Sequence, residues 1–343
     1  MISKADLIKD KGAIIGLWDE NFPGLPKKRY EWIYENNPAV IPSCWLARKN
    51  ESVIGSATVF PRRLFINGQS VTGGITGDFS VVKEFRLLGP AVALQKEIIS
   101  NYIKEGFDLI YTLPNEKSVT VATRSGYSVI GDVVSLTRPL KSQYYLKERI
   151  HFPIIPELMQ KPIDLAITTF AKENFFKEHK ECSFEVLSQF DSRFDTLWKK
   201  ILHNFIIIGE RTSSYLNWRF VKSPHGSYSI FIIKQVSNQE VLGYIVFNTV
   251  NNRVKIADIL SIDDKTLDIL LSEFILFSRR EDIDSISIRI AGGIDMTRKL
   301  HGYGFSVRDN EGKLLGLFPQ DSLFSREIRD INNWYIMAGD NDI

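Results

Sequence analysis

The loop from Arg86 to Ala91 has the residue types and the spacing of an anion-binding turn. It reads Arg-Leu-Leu-Gly-Pro-Ala and joins an apolar segment to an amphipathic one that begins at Pro90. Backbone N–H groups at a helix start point outward, and the helix macrodipole favours negative charge there. Gly89 would let backbone approach a diphosphate, and Arg86 would add a charge-assisted hydrogen bond. The pattern predicts a phosphate-binding turn. A plain helix start with proline at its first position is the alternative.

Two ionisable side chains lie on the apolar segments before and after this loop. Asp78 precedes the loop and could act as a general base that takes a proton from a nucleophile. Tyr111, on the following apolar segment, could contact a substrate or donate a proton, but it also suits packing in a buried strand. Asn115 opens the next helical segment, where its side chain could bind a ligand or cap the helix.

Composition excludes several other classes of function. The 343 residues contain 43 basic and 41 acidic side chains, and this near balance argues against a nucleic-acid surface or a polybasic membrane anchor. Cys44 and Cys182 are too few for a disulfide framework or a cysteine zinc site, and the five histidines show no metal-binding spacing. We therefore expect no metal site. No apolar run is long enough to span a bilayer, and we expect a cytoplasmic protein.

Hydrophobic periodicity and turn residues predict the elements that must position these side chains. Residues 5–20 and 28–36 have helical patterns, and the second ends before Pro38. Asn67-Gly68 is a strong hairpin signal. The remaining predictions are strands at 45–49, 53–60, 62–66, 70–82, 107–113 and 128–136, a helix over 90–106, and a short helix after Asn115.

This order of elements, together with Arg-x-x-Gly-x-Ala, resembles the GNAT family of acyl-CoA N-acyltransferases. The pyrophosphate loop of that family reads Gln/Arg-x-x-Gly-x-Gly/Ala after the fourth strand. The later stretch LPNEKSVTVATRSGYSVIG is similar to the family segment in which an asparagine opens a helix that ends at a glycine-aromatic pair, here Gly126-Tyr127. The resemblance implies an α/β fold of the α+β type, with a mixed, mainly antiparallel sheet.

The resemblance also implies roles for individual residues. Backbone at Phe79, Ser80 and Val81 would orient the thioester of acetyl-CoA or another acyl-CoA. The residues implied to bind the coenzyme further are Arg86, Leu87, Leu88, Gly89, Ala91 and Asn115, and those implied in catalysis are Asp78 and Tyr111. Many family members carry a tyrosine general acid where this sequence has Ala122, so the resemblance implies no acid at that position.

The second half of the sequence repeats landmarks of the first. Trp32 and Pro38 recur as Trp218 and Pro224, and Asp78 recurs as Asp258, a retention that favours a structural role for this acid. Other matching sets are Val53-Ile54-Gly55 with Val241-Leu242-Gly243 and Gly126-Tyr127 with Gly304-Phe305. We therefore predict two GNAT-like domains at 1–138 and 184–320, a linker with helical pieces at 139–183, and a tail at 321–343.

The two copies differ at the loop. Opposite Arg86–Ala91 the second copy has Thr266–Leu271, which lacks glycine and contains Asp268, so we predict that only the first copy binds coenzyme. The whole arrangement resembles bacterial tandem GNAT proteins, and the tail resembles that of a subset linked to surface polysaccharides.

The function that the resemblance implies is acyl transfer, with acetyl-CoA as the expected donor, to a small amine. An amino sugar or another cell-surface precursor would be a candidate acceptor. Two alternatives are a Fem-type transferase that uses aminoacyl-tRNA and a non-catalytic binding module built from a degenerate GNAT pair.

Overall fold

The structure, a computed structural model, describes residues 1–86, 89–142, 169, 171–176 and 180–341. These residues form one mixed sheet of 14 strands with helices on both of its faces, which confirms the predicted α/β class. Most neighbouring strands run antiparallel. Three pairs run parallel: β4 (Gln69–Val81) with β5 (Leu109–Thr112), β11 (Arg253–Ser261) with β12 (Ser285–Gly292), and β8 (Ile207–Gly209) with β14 (Trp334–Met337).

The first half contains six strands and four helices among its described residues. The strands are β1 (Ile2–Lys4), β2 (Ser43–Lys49), β3 (Ser52–Ile66), β4 (Gln69–Val81), β5 (Leu109–Thr112) and β6 (Ser128–Pro139). The helices are α1 (Lys11–Asn21), α2 (Lys28–Tyr30), which continues as a π-helix (Glu31–Glu35), α3 (Pro90–Asn101) and α4 (Glu116–Ser125).

The second half adds the remaining described elements. Its strands are β7 (Cys182–Leu187), β8 (Ile207–Gly209), β9 (Ser229–Gln235), β10 (Val241–Val250), β11 (Arg253–Ser261), β12 (Ser285–Gly292), β13 (Ser306–Leu317) and β14 (Trp334–Met337). Its helices are α5 (Ser192–Ile201), α6 (Ser213–Leu216), which continues as a π-helix (Asn217–Val221), α7 (Asp264–Arg280), α8 (Ile294–Gly302) and α9 (Ser325–Arg329).

The two halves exchange their last long strands. The sheet order is β1-β2-β3-β4-β5-β13-β6-β12-β11-β10-β9-β7, with β8 and β14 paired off this path. Strand β13 of the second half thus lies against β5 of the first, and β6 of the first half lies against β12 of the second. One continuous sheet results, and the 139–183 linker lies mostly outside the described residues.

Three local predictions were wrong in their boundaries. The helix predicted over 90–106 ends at Asn101, and turns follow as far as Gly106. Helix α1 begins at Lys11, because the Asp6 carboxylate accepts hydrogen bonds from the N–H groups of Ile8 and Lys9 and holds a turn there. Strand β3 runs through Pro61 without a break. Pro61 lies between the pairing of β2, which reaches Val59, and that of β8, which begins at Leu64. The Asn67-Gly68 hairpin is confirmed, and both residues have positive φ.

Two hydrophobic cores lie on opposite faces of the first-half sheet. The smaller core contains Leu94 and Ile98 of α3, Ala122 of α4 and Leu315 of β13. The larger core contains α1, the π-helix after α2 and most of the second half. The first-half sheet is therefore covered by α3 and α4 on one face and by α1, α2 and the second half on the other.

Candidate functional site

Strands β4 and β5 separate close to Asp78, the general base that the sequence suggests. They pair only where Gly73, Gly74 and Ile75 face Leu109, Ile110 and Tyr111. Beyond this point β4 bulges, because Ser56 and Thr58 of β3 pair with Ser80 and Gly77 and leave two β4 residues opposite one. Asp78 lies in the bulge with φ of 49°. The separated strands enclose a cavity of about 320 Å³.

The cavity joins the two faces of the sheet. Gln95 and Ala122 border it on the side of α3 and α4, and Arg289 of β12 and Asn341 of the tail border it from the second half. Its other lining residues are Phe22, Thr76, Gly77, Asp78, Phe79, Thr112, Leu113, Pro114, Asn115 and Ser118. A ligand held at the α3–α4 face could therefore meet a second ligand near the second half.

Asp78 borders this cavity but is held by two buried partners. Arg29 Nη1 lies 2.7 Å from Oδ1 and 2.8 Å from Oδ2, and the Tyr34 hydroxyl donates to Oδ2 at 2.8 Å. Burial, together with the nearby Asp78 charge, raises the pKa of the Tyr34 phenol well above its usual range, so the phenol remains a donor. Both oxygens of Asp78 are thus engaged within the protein, and the contacts fix the bulge.

Backbone N–H groups of β4 beyond the bulge point alternately to the two edges of the strand. The Val82 N–H donates to Ile54 of β3, so Val81, one residue earlier, directs its N–H to the edge away from β3. Phe79 lines the cavity. The Ser80 side chain instead lies near the Ser56 hydroxyl, 3.1 Å away, and is buried.

The predicted phosphate-binding loop begins a helix, as expected. Gly89 is the N-cap of α3 with φ of 93°, and a Cβ added there would meet nothing within 4 Å. Pro90 is the first helical residue, and the partly buried Ala91 packs against the smaller core. Arg86 is exposed, and its side chain donates to the Val81 carbonyl and to Asn21. Leu87 and Leu88 lie outside the described residues.

The two later candidates differ in position. Asn115 lines the cavity and caps α4, because its Oδ1 accepts a hydrogen bond from the Ser118 N–H at 3.0 Å. Tyr111 does not line the cavity. Its fully buried hydroxyl donates to the Asp340 carbonyl at 3.2 Å, beside Trp334. Burial raises the pKa of Tyr111, so this phenol serves as a structural donor to the tail.

Most residues of the cavity wall were missed from the sequence, among them Gln95, Arg289 and Asn341. Gln95 occupies a buried position of α3 between Leu94 and Ile98, and a polar residue in that apolar stripe was a usable signal. Arg289 and Asn341 come from distant parts of the chain, and no local pattern identifies them.

The corresponding gap in the second half is filled by the chain itself. β11 pairs with β12 only as far as Ile288. From Ile290 to Gly292, β12 pairs with β14 instead. This is the same edge of β12, because β6 occupies its other edge. The Tyr335 hydroxyl donates to the Ile259 carbonyl of β11 at 2.6 Å. Strand β14 therefore lies between β11 and β12, where the first half has its cavity.

Buried charges fix the tail in this position. Arg211 donates to Asp258 at 2.8 Å and, through two nitrogens, to Asp340 of the tail at 2.8 and 2.7 Å. The Tyr244 hydroxyl also donates to Asp258, at 2.8 Å. Asp78 and Asp258 are thus each held by one arginine and one tyrosine. These partners come from different positions in the two halves.

The helix start after β11 also differs from that after β4. Asp263 is the N-cap of α7, and its carboxylate accepts a hydrogen bond from the Thr266 N–H at 2.7 Å. Asp268 lies in the first turns of α7. Its Oδ2 is 2.8 Å from Lys299 Nζ, and its Oδ1 is 3.0 Å from Lys172 Nζ. The Asp263 carboxylate therefore caps the helix where the first half has the open Gly89 turn. Thr266–Leu271, predicted to lie opposite that turn, instead lies within α7, because the Asp263 cap starts the helix earlier.

Comparison with solved structures identifies the fold. A conserved protein of unknown function from Enterococcus faecalis V583, described as a probable N-acyltransferase, matches 94% of this chain and 74% of its own at 13% identity and a TM-score of 0.65. A GCN5-related N-acetyltransferase from Anabaena variabilis matches 92% and 72% at 13% identity and 0.65. The fold is that of the GCN5-related N-acetyltransferases. No protein-family model and no curated protein matches the sequence.

The likeness to the GNAT fold extends to a more distant structure. Saccharomyces cerevisiae N-myristoyltransferase with bound myristoyl-CoA matches 92% of this chain and 82% of its own at 13% identity and a TM-score of 0.56. Within the described ranges, no group of three or more acidic, histidine or cysteine side chains could hold a metal ion. The helices that the structure describes include none long and apolar enough to cross a membrane.

Proposed function

We propose that the protein is an acyl-CoA-dependent N-acyltransferase whose coenzyme binds across the gap between β4 and β5. The observation that carries this proposal is the contrast between the gaps. The first is open to a cavity of about 320 Å³ beside a glycine-capped helix start. The second is occupied by β14 beside a carboxylate-capped helix start, and the cavity of about 460 Å³ next to β14 is lined by Asp263, Asp264 and Asp295, whose charges disfavour a diphosphate.

The coenzyme would lie along the α3–α4 face of this cavity. Its diphosphate would meet the N-terminus of α3 at Gly89, with Arg86 beside it as a charge-assisted donor and Leu87, Leu88 and Ala91 completing the loop. Pro90 supplies no N–H, so the turn offers one donor fewer than a proline-free loop. Asn115 caps α4 through Oδ1, and its amide group can still donate to the coenzyme.

The thioester would lie at the bulge of β4. There backbone N–H groups of Phe79 and Val81 would orient and polarise the thioester carbonyl. The acceptor amine would enter from the side of Arg289 and Asn341. Attack of the amine nitrogen on the carbonyl carbon forms the C–N bond, the C–S bond breaks, and coenzyme A leaves as the thiolate.

One proton must pass from the amine to this thiolate, either through Asp78 or through water. Both oxygens of Asp78 are engaged by Arg29 and Tyr34, so we assign Asp78 to holding the bulge and route the proton through water. Positioning of the two reactants then supplies most of the acceleration. With Tyr111 turned toward the tail and Ala122 in the wall, we assign neither a catalytic role.

We also infer that the halves are copies of one fold, the second without coenzyme. Trp32 and Trp218 both lie on π-helices that follow a short α-helix, and Asp78 and Asp258 both lie at or beside an irregularity in strand pairing. The expected acceptor is a small amine, such as an amino sugar or another cell-surface precursor.

Binding and turnover test the proposed function. Titration calorimetry with coenzyme A, acetyl-CoA and longer acyl-CoA should show binding, and a panel of amines should release coenzyme A thiol from the donor. Absence of binding of every acyl-CoA at millimolar concentration would overturn the proposal. Salt-sensitive binding of tRNA without acyl-CoA binding would instead support aminoacyl transfer. Binding without turnover of any amine would support a non-catalytic module.

A further inference from the structure

The side chain of Gln95 is a buried amide in the wall of the cavity. It lies on the second turn of α3, is 6% exposed, and lines the cavity together with Ala122. Its Oε1 is buried and has no hydrogen-bond partner within the part of the chain that the structure describes. A buried polar atom without a partner destabilises a protein, so its presence in a side chain that lines a cavity points to a ligand toward which the amide turns this oxygen to gain a partner.

The second half shows that packing does not require an amide here. With Asp78 matched to Asp258, the same spacing matches Gln95 to Ile275. Ile275 lies on α7, is fully buried and belongs to the larger core. Counted instead from the N-caps Gly89 and Asp263, Gln95 matches Ile269, which is also buried. By either match the half with the filled gap has an apolar side chain where the half with the open gap has an amide.

Gln95 lies on the donor side of the cavity. Its neighbour Leu94 and the wall residue Ala122 belong to the core on the α3–α4 face, whereas Tyr34, which holds Asp78, belongs to the core on the other face. Arg289 and Asn341 reach the cavity from the second half. A ligand group that contacts Gln95 therefore belongs to the acyl-CoA and not to the acceptor amine.

We propose that Gln95 is a specificity-determining residue whose Oε1 accepts a hydrogen bond from an N–H or O–H group on the buried part of the acyl-CoA. This inference rests on the proposed function. Two parts of the donor carry such a group: the pantetheine arm, with its two amide N–H groups and its hydroxyl, and an acyl chain that bears a hydroxyl. A site built to hydrogen-bond a ligand group discriminates against a ligand that lacks it, because the buried partner is then left unpaired.

Binding of three probes to the full chain tests the proposal. The probes are coenzyme A, acetyl-CoA and 3-hydroxybutyryl-CoA, measured with wild type, Gln95→Ile and Gln95→Met. Gln69→Ile is the matched control, since Gln69 is exposed at the start of β4. Thermal melts of each variant confirm folding, and loss of the unpaired amide should leave the midpoint unchanged or higher.

Tenfold or greater weakening, about 1.4 kcal/mol at 25 °C, is expected in both Gln95 variants. Weakening of all three probes assigns the contact to pantetheine, and selective weakening of 3-hydroxybutyryl-CoA assigns it to the acyl hydroxyl. If the folded Gln95 variants bind all probes as tightly as wild type or more tightly, the inference about Gln95 is wrong, and the proposed function stands because wild type binds acyl-CoA. If wild type binds none of the probes, both the inference and the proposed function are wrong.

Discussion

The indoles of Trp32 and Trp218 hydrogen-bond each other's backbone. Trp32 Nε1 donates to the Trp218 carbonyl at 2.7 Å, Trp218 Nε1 donates to the Trp32 carbonyl at 2.9 Å, and the rings stack with centroids 4.9 Å apart. Arg219 lies 5.3 Å from the Trp32 centroid and Arg62 lies 5.2 Å from that of Trp218. Trp32 and Trp218 thus join the two halves of the chain.

Replacing either tryptophan by phenylalanine should destabilise the whole protein. Trp32→Phe keeps an aromatic ring but leaves the buried Trp218 carbonyl without this donor, which costs about 1 to 3 kcal/mol. Trp218→Phe should cost a similar amount, because the contact is reciprocal. Denaturant melts of both variants and the double variant measure the coupling. Additive losses in the double variant would show that the two contacts do not act as a unit.

Gly89→Asp should weaken acyl-CoA binding in a folded protein. The added carboxylate would meet open space in the protein but would repel the diphosphate, and φ of 93° adds local strain. Ile269→Asp, at the position that aligns with Gly89, should instead unfold the second half, because Ile269 is buried on α7 and a buried charge costs several kcal/mol. Calorimetry with acetyl-CoA and thermal melts separate the effects. Unchanged binding in Gly89→Asp would rule out the loop as the coenzyme site.

Asp78→Asn should cost stability more than it costs chemistry. Asparagine tolerates the positive φ but removes the carboxylate charge that pairs with the buried Arg29, which costs about 3 to 5 kcal/mol. Arg29→Met with Asp78→Asn should recover much of that loss and keep turnover within several-fold of wild type. Loss of turnover by 100-fold or more in the stable double variant would instead make Asp78 a general base. Asp258→Asn is the control for a buried acid away from the cavity.

His225 should make stability depend on pH in mildly acidic solution. Burial and the nearby Arg29 and Arg219 lower its pKa to about 4, against about 6.5 for an ordinary histidine. Between these two pKa values, the unfolded chain binds a proton at His225 that the native protein does not bind. The stability that is present above about pH 6.5 is therefore lost as the pH falls toward 4. His225→Phe keeps an aromatic edge against Trp32 and removes the titration. The melting midpoints of wild type and variant should diverge over this range, and parallel curves would contradict the assignment.

Local sequence signals predicted the loop and its helix, because glycine, proline and asparagine act on the backbone within a few residues. They could not orient Tyr111, because the strand is apolar on both faces and gives no alternation to read. They also could not show that β14 would occupy the second gap. That position depends on pairing with β12 and β8 and on Arg211 holding Asp340, contacts that lie far apart in sequence.

The exchange of β6 and β13 has a consequence for synthesis on the ribosome. Strand β5 is bordered by β4 on one edge and by β13 on the other, and β13 (Ser306–Leu317) is translated long after β5. Until it emerges, the nascent chain carries an open central edge whose backbone groups can pair with another molecule. Productive folding of the first half therefore awaits translation of β13, and synthesis interrupted before it would yield fragments that a complementary fragment, or a second copy through strand swapping, could complete.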